Sequence, residues 1–249
     1  MPESVRIAAA GDVHCRPATR EHALRAFADL DAKADLFLLA GDLTTHGQPE
    51  QAEVLAEACA PLQIPIVAVL GNHDWHCNQV DECLPIWEKA GIRVLDRACA
   101  IVEVAGVEVG IVGVKGFVGG FPGSHLPDFG EPSLRGIYAE AGEEALALDR
   151  GLREIAHCPV RVALLHYAPT SETLVGEPEP IWTYLGTDRL AAPIREHEPD
   201  LVLHGHAHHG TFEGKIGNVP VYNVSVPVMG QDYWVFELSG VEIVTTPIH

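Results

Sequence analysis

Five apolar runs in the 249-residue sequence end in residue types that bind metals or transfer protons. Each run has the composition of a buried strand, and Asp, Asn or His follows where the run stops. Glycine stands beside most of these residues, which suits a tight turn and a close approach of the backbone to an ion. The five segments are Gly11-Asp12-Val13-His14, Gly41-Asp42, Gly71-Asn72-His73-Asp74, the single His166, and His204-Gly205-His206-Ala207-His208.

Carboxylate, amide and imidazole ligands together suit Mn, Fe, Zn or Co, whereas Mg and Ca prefer oxygen ligands alone. Each motif is weak by itself, because a Gly-Asp pair after a strand is usually only a turn. A lone histidine is more often a hydrogen-bonded core residue than a ligand. Five such motifs at strand ends, in a chain with 14 histidines, nevertheless predict a metal site.

The elements that position these motifs are short strands separated by helical patterns in the first half of the chain. Strand-like runs cover 5–10, 36–40 and 66–70, and helical spacing covers 20–33 and 49–60. Strands that alternate with helices form a largely parallel sheet with both faces covered. Ligands bind outside the carboxyl ends of the strands in such sheets, so we expect the motifs to meet at one edge.

The second half of the chain has an antiparallel pattern. Runs at 100–104 and 107–114 flank a short Ala-Gly turn and predict a hairpin. Gly217-Asn218 and Ser239-Gly240 join two further predicted strand pairs. We expect the two halves to pack as two sheets, each covered by helices. The remaining predicted elements are a helix at about 139–155 and strands at 162–165 and 201–203.

In chain order, the five motifs read D-x-H, G-D, G-N-H-[D/E], H and G-H-x-H. This pattern resembles that of the calcineurin-like metallophosphoesterases, and it is unbroken from Asp12 to His208. The resemblance implies an α/β fold, a four-layer α/β/β/α sandwich of two mixed sheets with flanking helices, with 1–249 as a single domain. It also implies a centre of two divalent transition-metal ions, with Mn or an Fe/Mn pair favoured.

The resemblance assigns roles to individual residues. Asp42 would bridge the two ions, and His73 would face the leaving group without binding a metal. A hydroxide bridging the two ions would hydrolyse a P–O bond, because paired ions hold both the attacking and the leaving oxygen. The ligands of the first ion would be Asp12, His14 and His208, and those of the second would be Asn72, His166 and His206.

Net charge limits the partners of the protein. Sixteen Lys and Arg residues against 35 Asp and Glu residues give a formal charge of −19. Extended nucleic acids and anionic membranes are bound by basic surfaces, so both are excluded as partners. Two dications would outweigh the charges of Asp12, Asp42 and a hydroxide, so the site itself could attract phosphate. The sequence therefore predicts a small phosphorylated substrate, and nothing in it supports an oligomer.

Substrate choice leaves alternatives open. The compact chain resembles the bacterial cyclic-nucleotide phosphodiesterase-like branch of the family, which implies a small phosphodiester. A phosphomonoesterase or pyrophosphatase of a small metabolite is the alternative. The Gly- and Pro-rich segment 115–138 is a candidate substrate flap, since long loops without periodicity are often functional. Candidate substrate contacts are Asn72 and three residues of this segment, Lys115, His125 and Arg135.

An alternative of another class is a catalytically silent binding or scaffold protein on the same fold. The unbroken set of motif residues argues against it, because a protein that had lost catalysis should also have lost ligands.

Several residues near the motifs have less specific interpretations. Asp74 is expected to orient ligands, His204 to lie in the core and Cys15 to pack, whereas His76 and Cys77 are candidates for lining the substrate pocket. The six cysteines lack CxxC spacing and the N-terminus does not read as a signal peptide, which predicts a cytoplasmic protein with reduced thiols. No apolar run approaches the length of a membrane helix.

Overall fold

A computed structural model describes residues 4–239 and 242–246 of the chain. Its strands are β1 (Val5–Ala10), β2 (Leu36–Ala40), β3 (Ile66–Val69), β4 (Ile92–Leu95), β5 (Ala98–Val104), β6 (Val107–Gly113), β7 (Val160–Leu164), β8 (Leu201–His204), β9 (Glu213–Ile216), β10 (Val219–Asn223), β11 (Trp234–Ser239) and β12 (Glu242–Thr246). Its helices are α1 (Arg20–Ala26), α2 (Leu30–Lys33), α3 (Pro49–Cys59), α4 (Val80–Lys89), α5 (Pro132–Glu154), α6 (Trp182–Leu185), α7 (Ala191–His197) and α8 (Val226–Met229).

The strands form two six-stranded mixed sheets. The first has the order β12-β11-β1-β2-β3-β4, with β1 to β4 parallel and β11 antiparallel to both of its neighbours. The second has the order β5-β6-β7-β8-β10-β9, with a parallel centre and an antiparallel strand at each edge. Two mixed sheets with flanking helices confirm the predicted fold class.

The strand β2 shows how one sequence covers both faces of a sheet. All five of its residues are buried. Leu36 and Leu38 belong to the core between the two sheets, whereas Phe37 and Leu39 belong to the core beneath α1, α3 and α4. Side chains alternate between faces along a strand, so a continuous apolar run packs on two layers at once. A third core lies between the second sheet and the helices α5 and α7. The layers therefore run helix, sheet, sheet, helix.

The helix α5 begins at Pro132, seven residues earlier than the predicted helix at about 139–155. Proline suits the first turn of a helix because its missing N–H has no partner there. The prediction failed because 132–136 are all exposed, so they show no apolar periodicity. The segment 115–138 is consequently not one loop: its last seven residues are helical, and the connection between β6 and α5 is 114–131.

The C-terminal strands correct the expectation that each half of the chain forms one sheet. The strand β11 pairs with β1, so the first sheet combines the two ends of the chain. The hairpin at Gly217-Asn218 is confirmed as the turn between β9 and β10. The strands beside the Ser239-Gly240 turn are antiparallel, but Gly240 lies outside the described residues.

One helical prediction differs from the structure, and one helix was not predicted. The predicted helix at 20–33 is broken into α1 and α2, and the chain turns at Phe27, whose buried ring lies 5.0 Å from the ring of Phe37. The helix α4 was not predicted, and its internal Pro85 is a residue that normally argues against a helix. Within the described residues, no helix is both long and apolar enough to span a membrane.

Candidate metal centre

The five motifs follow β1, β2, β3, β7 and β8, and their side chains meet where these strands end. The first three strands belong to one sheet and the other two to the second, so the site lies between the sheets. Asp42 is at its centre: its Oδ2 is 3.7 Å from His14 Nε2, and its Oδ1 is 3.4 Å from His166 Nε2.

The predicted ligands form two groups that share Asp42. The first group is Asp12, His14, Asp42 and His208, and the second is Asp42, His166 and His206. In each group, one possible ligand atom per residue lies within 4.8 Å of all the others. Asn72 adjoins the second group, since its Oδ1 is 2.9 Å from His166 Nε2. The structure thus brings together all seven residues that the sequence nominated as ligands.

Four of these seven residues have a left-handed backbone conformation, although none is glycine. Their φ angles are 57° at Asp12, 43° at His14, 50° at Asp42 and 70° at His206. This conformation costs about 1–2 kcal/mol for an ordinary residue. Such backbone strain collects at functional sites, where the surrounding structure holds it in place. Sequence reasoning did not anticipate it, because motif letters carry no information about φ.

Glycines beside the ligands make room for carboxylates from other loops. A Cβ on Gly205 would lie 2.3 Å from Asp12 Oδ2, and one on Gly71 would lie 2.1 Å from Asp42 Oδ1. Real Cβ atoms essentially never approach another heavy atom within 3.0 Å. These two motif glycines are therefore required by space, in addition to any turn they make.

Backbone carbonyls fix which nitrogen of each histidine remains available. A carbonyl oxygen can only accept, so the ring nitrogen facing it must carry the proton. His166 Nδ1 donates to Ala40 O at 2.9 Å, and His14 Nδ1 faces Thr44 O at 3.3 Å. Both residues therefore present Nε2 to Asp42. His206 donates from Nε2 to Tyr184 O at 3.1 Å, so Nδ1 is its nitrogen available to a metal ion. Such partners typically orient metal-binding imidazoles.

Electrostatics favours a cation at this site. Burial, with the charges of Asp12 and Asp74, raises the pKa of the Asp42 carboxyl to about 8. Burial lowers the pKa of His206 to about 3 and that of His14 to about 4, so both imidazoles are neutral at pH 7. Among the described residues, no Lys or Arg nitrogen lies within 4.0 Å of the Asp12 or Asp42 carboxylate. Neutral imidazoles beside buried carboxyl groups fit divalent transition metals.

Asp74 ties two of the motif loops together. Its buried carboxylate accepts hydrogen bonds from Leu43 N and Thr44 N on one loop and from Gly71 N on the other, at 3.2, 2.8 and 2.9 Å. The Thr44 hydroxyl donates to it as well, at 2.6 Å. Asp74 therefore positions the loops that carry Asp42 and Asn72.

His73 is close to Asp42 but belongs to neither group. Its Nδ1 donates to Thr45 O at 2.8 Å, and its Nε2 is 4.0 Å from Asp42 Oδ2. The ring of His76 lies 4.3 Å from the ring of His73, whereas Cys77 is simply exposed. The buried His204 donates to Gly205 O and contacts Thr173 Oγ1, each at 2.8 Å, as a satisfied core residue does.

Burial raises the pKa of the Cys15 thiol to about 12, so it is a packed neutral group rather than a thiolate ligand.

The three candidate substrate contacts from the long segment occupy different places. Lys115 is beside the site, because its Nζ is 5.2 Å from the ring centre of Tyr167, the residue that follows His166. His125 pairs with Asp188 at 2.9 Å, and Arg135 pairs with Asp128 at 3.3 Å. In the described part of the chain, neither His125 nor Arg135 makes a hydrogen bond or ion pair with a motif residue.

Tyr167 is a residue that sequence reasoning missed. Its ring centre lies 4.4 Å from that of His206 and 5.4 Å from that of His166. The signal available was its place directly after His166, but alternation along a strand suggests that neighbours face apart. The chain leaves the strand at Leu164, so the alternation ends before this pair.

Comparison with known proteins decides the family. The model of the calcineurin-like phosphoesterase family matches residues 5–210, a span that includes all five motifs. The chain belongs to this family. A search of curated proteins found no match.

Three solved structures illustrate how the fold is used elsewhere. The phosphopantetheinyl hydrolase PptH of Mycobacterium tuberculosis is 15% identical, with 91% of this chain and 92% of that chain covered and a TM-score of 0.64. A putative 5'-nucleotidase of Staphylococcus aureus is 14% identical, with 98% and 53% covered and a TM-score of 0.62. GAP50, the anchor in the inner membrane complex of Plasmodium, is 13% identical, with 97% and 83% covered and a TM-score of 0.62. At these identities the likeness concerns the fold alone.

Proposed function

We propose that this phosphoesterase uses two divalent transition-metal ions to hydrolyse small phosphodiesters. One observation carries the proposal: Asp42 belongs to both groups of candidate ligands. A carboxylate shared by two such groups is suited to bridging two ions. When bound, paired ions neutralise charge on the phosphoryl oxygens and lower the pKa of a coordinated water. Asp12, His14, Asp42 and His208 would hold the first ion, and Asp42, Asn72, His166 and His206 the second.

His73 is the proposed catalytic residue that acts on the leaving group. Its Nδ1 proton is committed to Thr45 O, so Nε2 is the nitrogen available to substrate. When the ring is protonated, Nε2–H can donate a hydrogen bond, and then a proton, to the departing oxygen. Asp42 Oδ2 lies 4.0 Å from this nitrogen, so the ring stands at the edge of the candidate metal site.

The chain's other residues prepare the ligands. Ala40 O and Thr44 O hold the rings of His166 and His14, so that both Nε2 lone pairs face Asp42. Asp12 Oδ2 accepts the backbone N–H of His206 at 2.8 Å, which connects the first motif to the last. Such fixed geometry reduces the reorganisation needed when charge develops in the transition state.

A diester substrate is supported by the shortage of permanent cations. A phosphodiester carries one negative charge, whereas a phosphomonoester carries close to two at neutral pH. Of the three charged or titratable candidates in the long segment, only Lys115 lies beside the site. The net charge of −19 further supports a small substrate over an extended nucleic acid.

A substrate panel tests the proposal. Mn-loaded protein is assayed with bis-p-nitrophenyl phosphate, p-nitrophenyl phosphate, and 2′,3′- and 3′,5′-cyclic nucleotides. We expect Mn-dependent hydrolysis, fastest on a diester, that is lost in Asp42→Asn and retained in Asp81→Asn, an exposed acid on α4. Absence of hydrolysis on every substrate would refute the proposal, and equal activity of both variants would assign the activity to another site. Preference for p-nitrophenyl phosphate would instead identify a phosphomonoesterase.

A further inference from the structure

Lys115 is a half-buried cation that forms no ion pair with the described residues. Its ammonium Nζ lies 4.4 Å from the ring centre of Phe117 and 5.2 Å from that of Tyr167. One of its N–H groups donates to Gly116 O at 3.0 Å. Among the described residues, no carboxylate lies within 4.0 Å of Nζ. The buried Glu144 of α5 binds Arg97 at 2.9 Å and Gly116 N at 2.8 Å instead. An ammonium has three N–H donors, and the hydrogen bond to Gly116 O uses one of them.

Tyr167 has a similar unused donor. The residue is 5% exposed, and no described residue makes a hydrogen bond with its hydroxyl. A phenolic hydroxyl carries its proton at neutral pH, so it can donate a hydrogen bond. Buried tyrosines usually direct this group to a partner. In the described part of the chain, the fully buried side-chain atoms without a partner belong to Trp87, Ser225 and Trp234, so the Tyr167 oxygen remains accessible to a ligand at the site.

Lys115 and Tyr167 lie on one side of the candidate metal centre. The carbonyl of Lys115 accepts both His166 N at 3.1 Å and Tyr167 N at 3.0 Å, which joins the chain after β6 to the chain after β7. The Tyr167 ring packs on His206, and His166 Nε2 faces Asp42 Oδ1 at 3.4 Å. The His73 ring is elsewhere, with Nε2 nearest to Asp42 Oδ2. Lys115 and Tyr167 thus adjoin the His166–His206 side, away from the proposed leaving group.

We propose that the Lys115 ammonium and the Tyr167 hydroxyl form a binding subsite for an anionic oxygen of the substrate's phosphoryl group, on the His166–His206 side. This subsite rests on the proposed function, because it takes the same substrate. An anionic oxygen would give the ammonium a charged acceptor within hydrogen-bond distance and would accept a hydrogen bond from the hydroxyl. The subsite holds the part of the phosphoryl group that does not leave, while His73 acts on the part that does.

The test compares Lys115→Met and Tyr167→Phe with matched controls. Lys115→Met keeps the length of the side chain and removes its charge, and Tyr167→Phe removes one oxygen and keeps the ring on His206. Lys89→Met, at an exposed lysine of α4, and Tyr222→Phe, at a core tyrosine with 6% exposure, make the same chemical changes elsewhere. Lys115→Arg retains the charge. Each Mn-loaded variant is analysed for metal content, for calorimetric affinity for inorganic phosphate, and for kcat/KM on a diester and a monoester.

We expect both groups of candidate ligands to keep their metal ions in every variant. Lys115→Met should weaken phosphate binding by about 10–100-fold, the range for a hydrogen bond that involves charged groups. Tyr167→Phe should weaken it by about 3–10-fold, the range for an ordinary hydrogen bond. Loss of kcat/KM in Lys115→Met should be larger for the dianionic monoester than for the monoanionic diester. Lys115→Arg should recover part of the affinity, and both control variants should match the wild type.

Two results would overturn the subsite. Phosphate affinity within twofold of wild type in both Lys115→Met and Tyr167→Phe would show that neither group binds an anion. Loss of metal in parallel with loss of affinity would show that they only support His166. Failure of the proposed function is distinguishable, because a wild-type protein that hydrolyses nothing still reports on the subsite through phosphate binding.

Discussion

Replacement of Gly205 by alanine is the sharpest structural perturbation of the metal centre. The new Cβ would lie 2.3 Å from Asp12 Oδ2 and 3.0 Å from Ala40 O, a carbonyl that is fixed within β2. The Asp12 carboxylate must therefore withdraw until the contact reaches 3.0 Å or more. The same oxygen accepts His206 N at 2.8 Å, so this hydrogen bond is stretched or lost.

The size of the effect follows from that displacement. A buried hydrogen bond to a charged group contributes about 1.5–3 kcal/mol, which corresponds to roughly 10–100-fold in an equilibrium constant. A misplacement of about 1 Å in an active site can lower the rate by roughly 100-fold. We expect Gly205→Ala to weaken Mn binding by about 10–100-fold and to lower kcat/KM on bis-p-nitrophenyl phosphate by about 100-fold. Titration of metal-free protein, with free Mn measured by electron paramagnetic resonance, gives the affinities.

Gly136→Ala is the matched control, because a Cβ at this position on α5 meets nothing within 4 Å. Alanine is favoured over glycine in a helix by about 1 kcal/mol, so this variant should be slightly more stable and otherwise wild type. The reasoning is refuted if Gly205→Ala binds two ions with affinity and kcat/KM within twofold of wild type. That outcome would mean that the Asp12 carboxylate has no required position.

Three further predictions concern the ligands and their support. Asp42→Ala should lower the Mn content of both groups, because both contain this residue; elemental analysis that shows one fully loaded site would contradict the shared position. His73→Ala should retain both ions and lower kcat by about 10²–10⁴-fold, with a smaller loss for p-nitrophenolate leaving groups, because these need no proton. Equal losses for good and poor leaving groups would indicate that His73 stabilises charge and does not donate a proton. Asp74→Asn should destabilise the protein by about 2–4 kcal/mol in urea denaturation, because the amide NH2 that replaces one oxygen would face either the N–H groups of Leu43 and Gly71 or that of Thr44. A change below about 0.5 kcal/mol, as expected for the exposed Asp81→Asn, would remove Asp74 from its positioning role.

The elements of the fold that could be predicted are those whose apolar residue types indicate that they are buried. The strands Val5–Ala10, which is apolar apart from Arg6, and Leu36–Ala40 have the predicted bounds, since a strand packed on both faces has a nearly continuous apolar run. The first turns of α5 could not be predicted, because exposed residues leave no periodic pattern. The helix α4 was hidden by Pro85, whose effect on local propensity is outweighed by packing of buried Cys83 and Trp87.

The candidate site also has features that the sequence could predict and features that it could not. Its seven candidate ligands could be nominated from sequence, because their chemistry is carried by side-chain type and order. The features that orient them could not, because they belong to the backbone: the left-handed residues Asp12 and Asp42, and the carbonyls of Ala40 and Thr45. Tyr167 was missed for a related reason, since its contact with His206 joins loops 39 residues apart that only the folded sheets bring together.

The proposed two-metal phosphoesterase activity is best tested by a stepwise Mn titration of metal-free protein, with hydrolysis of bis-p-nitrophenyl phosphate recorded at each addition. We expect the chain to bind two ions and its activity to rise as the second ion binds. Binding that stops at one ion with full activity, or two bound ions without hydrolysis of this or any other phosphoester, would contradict it.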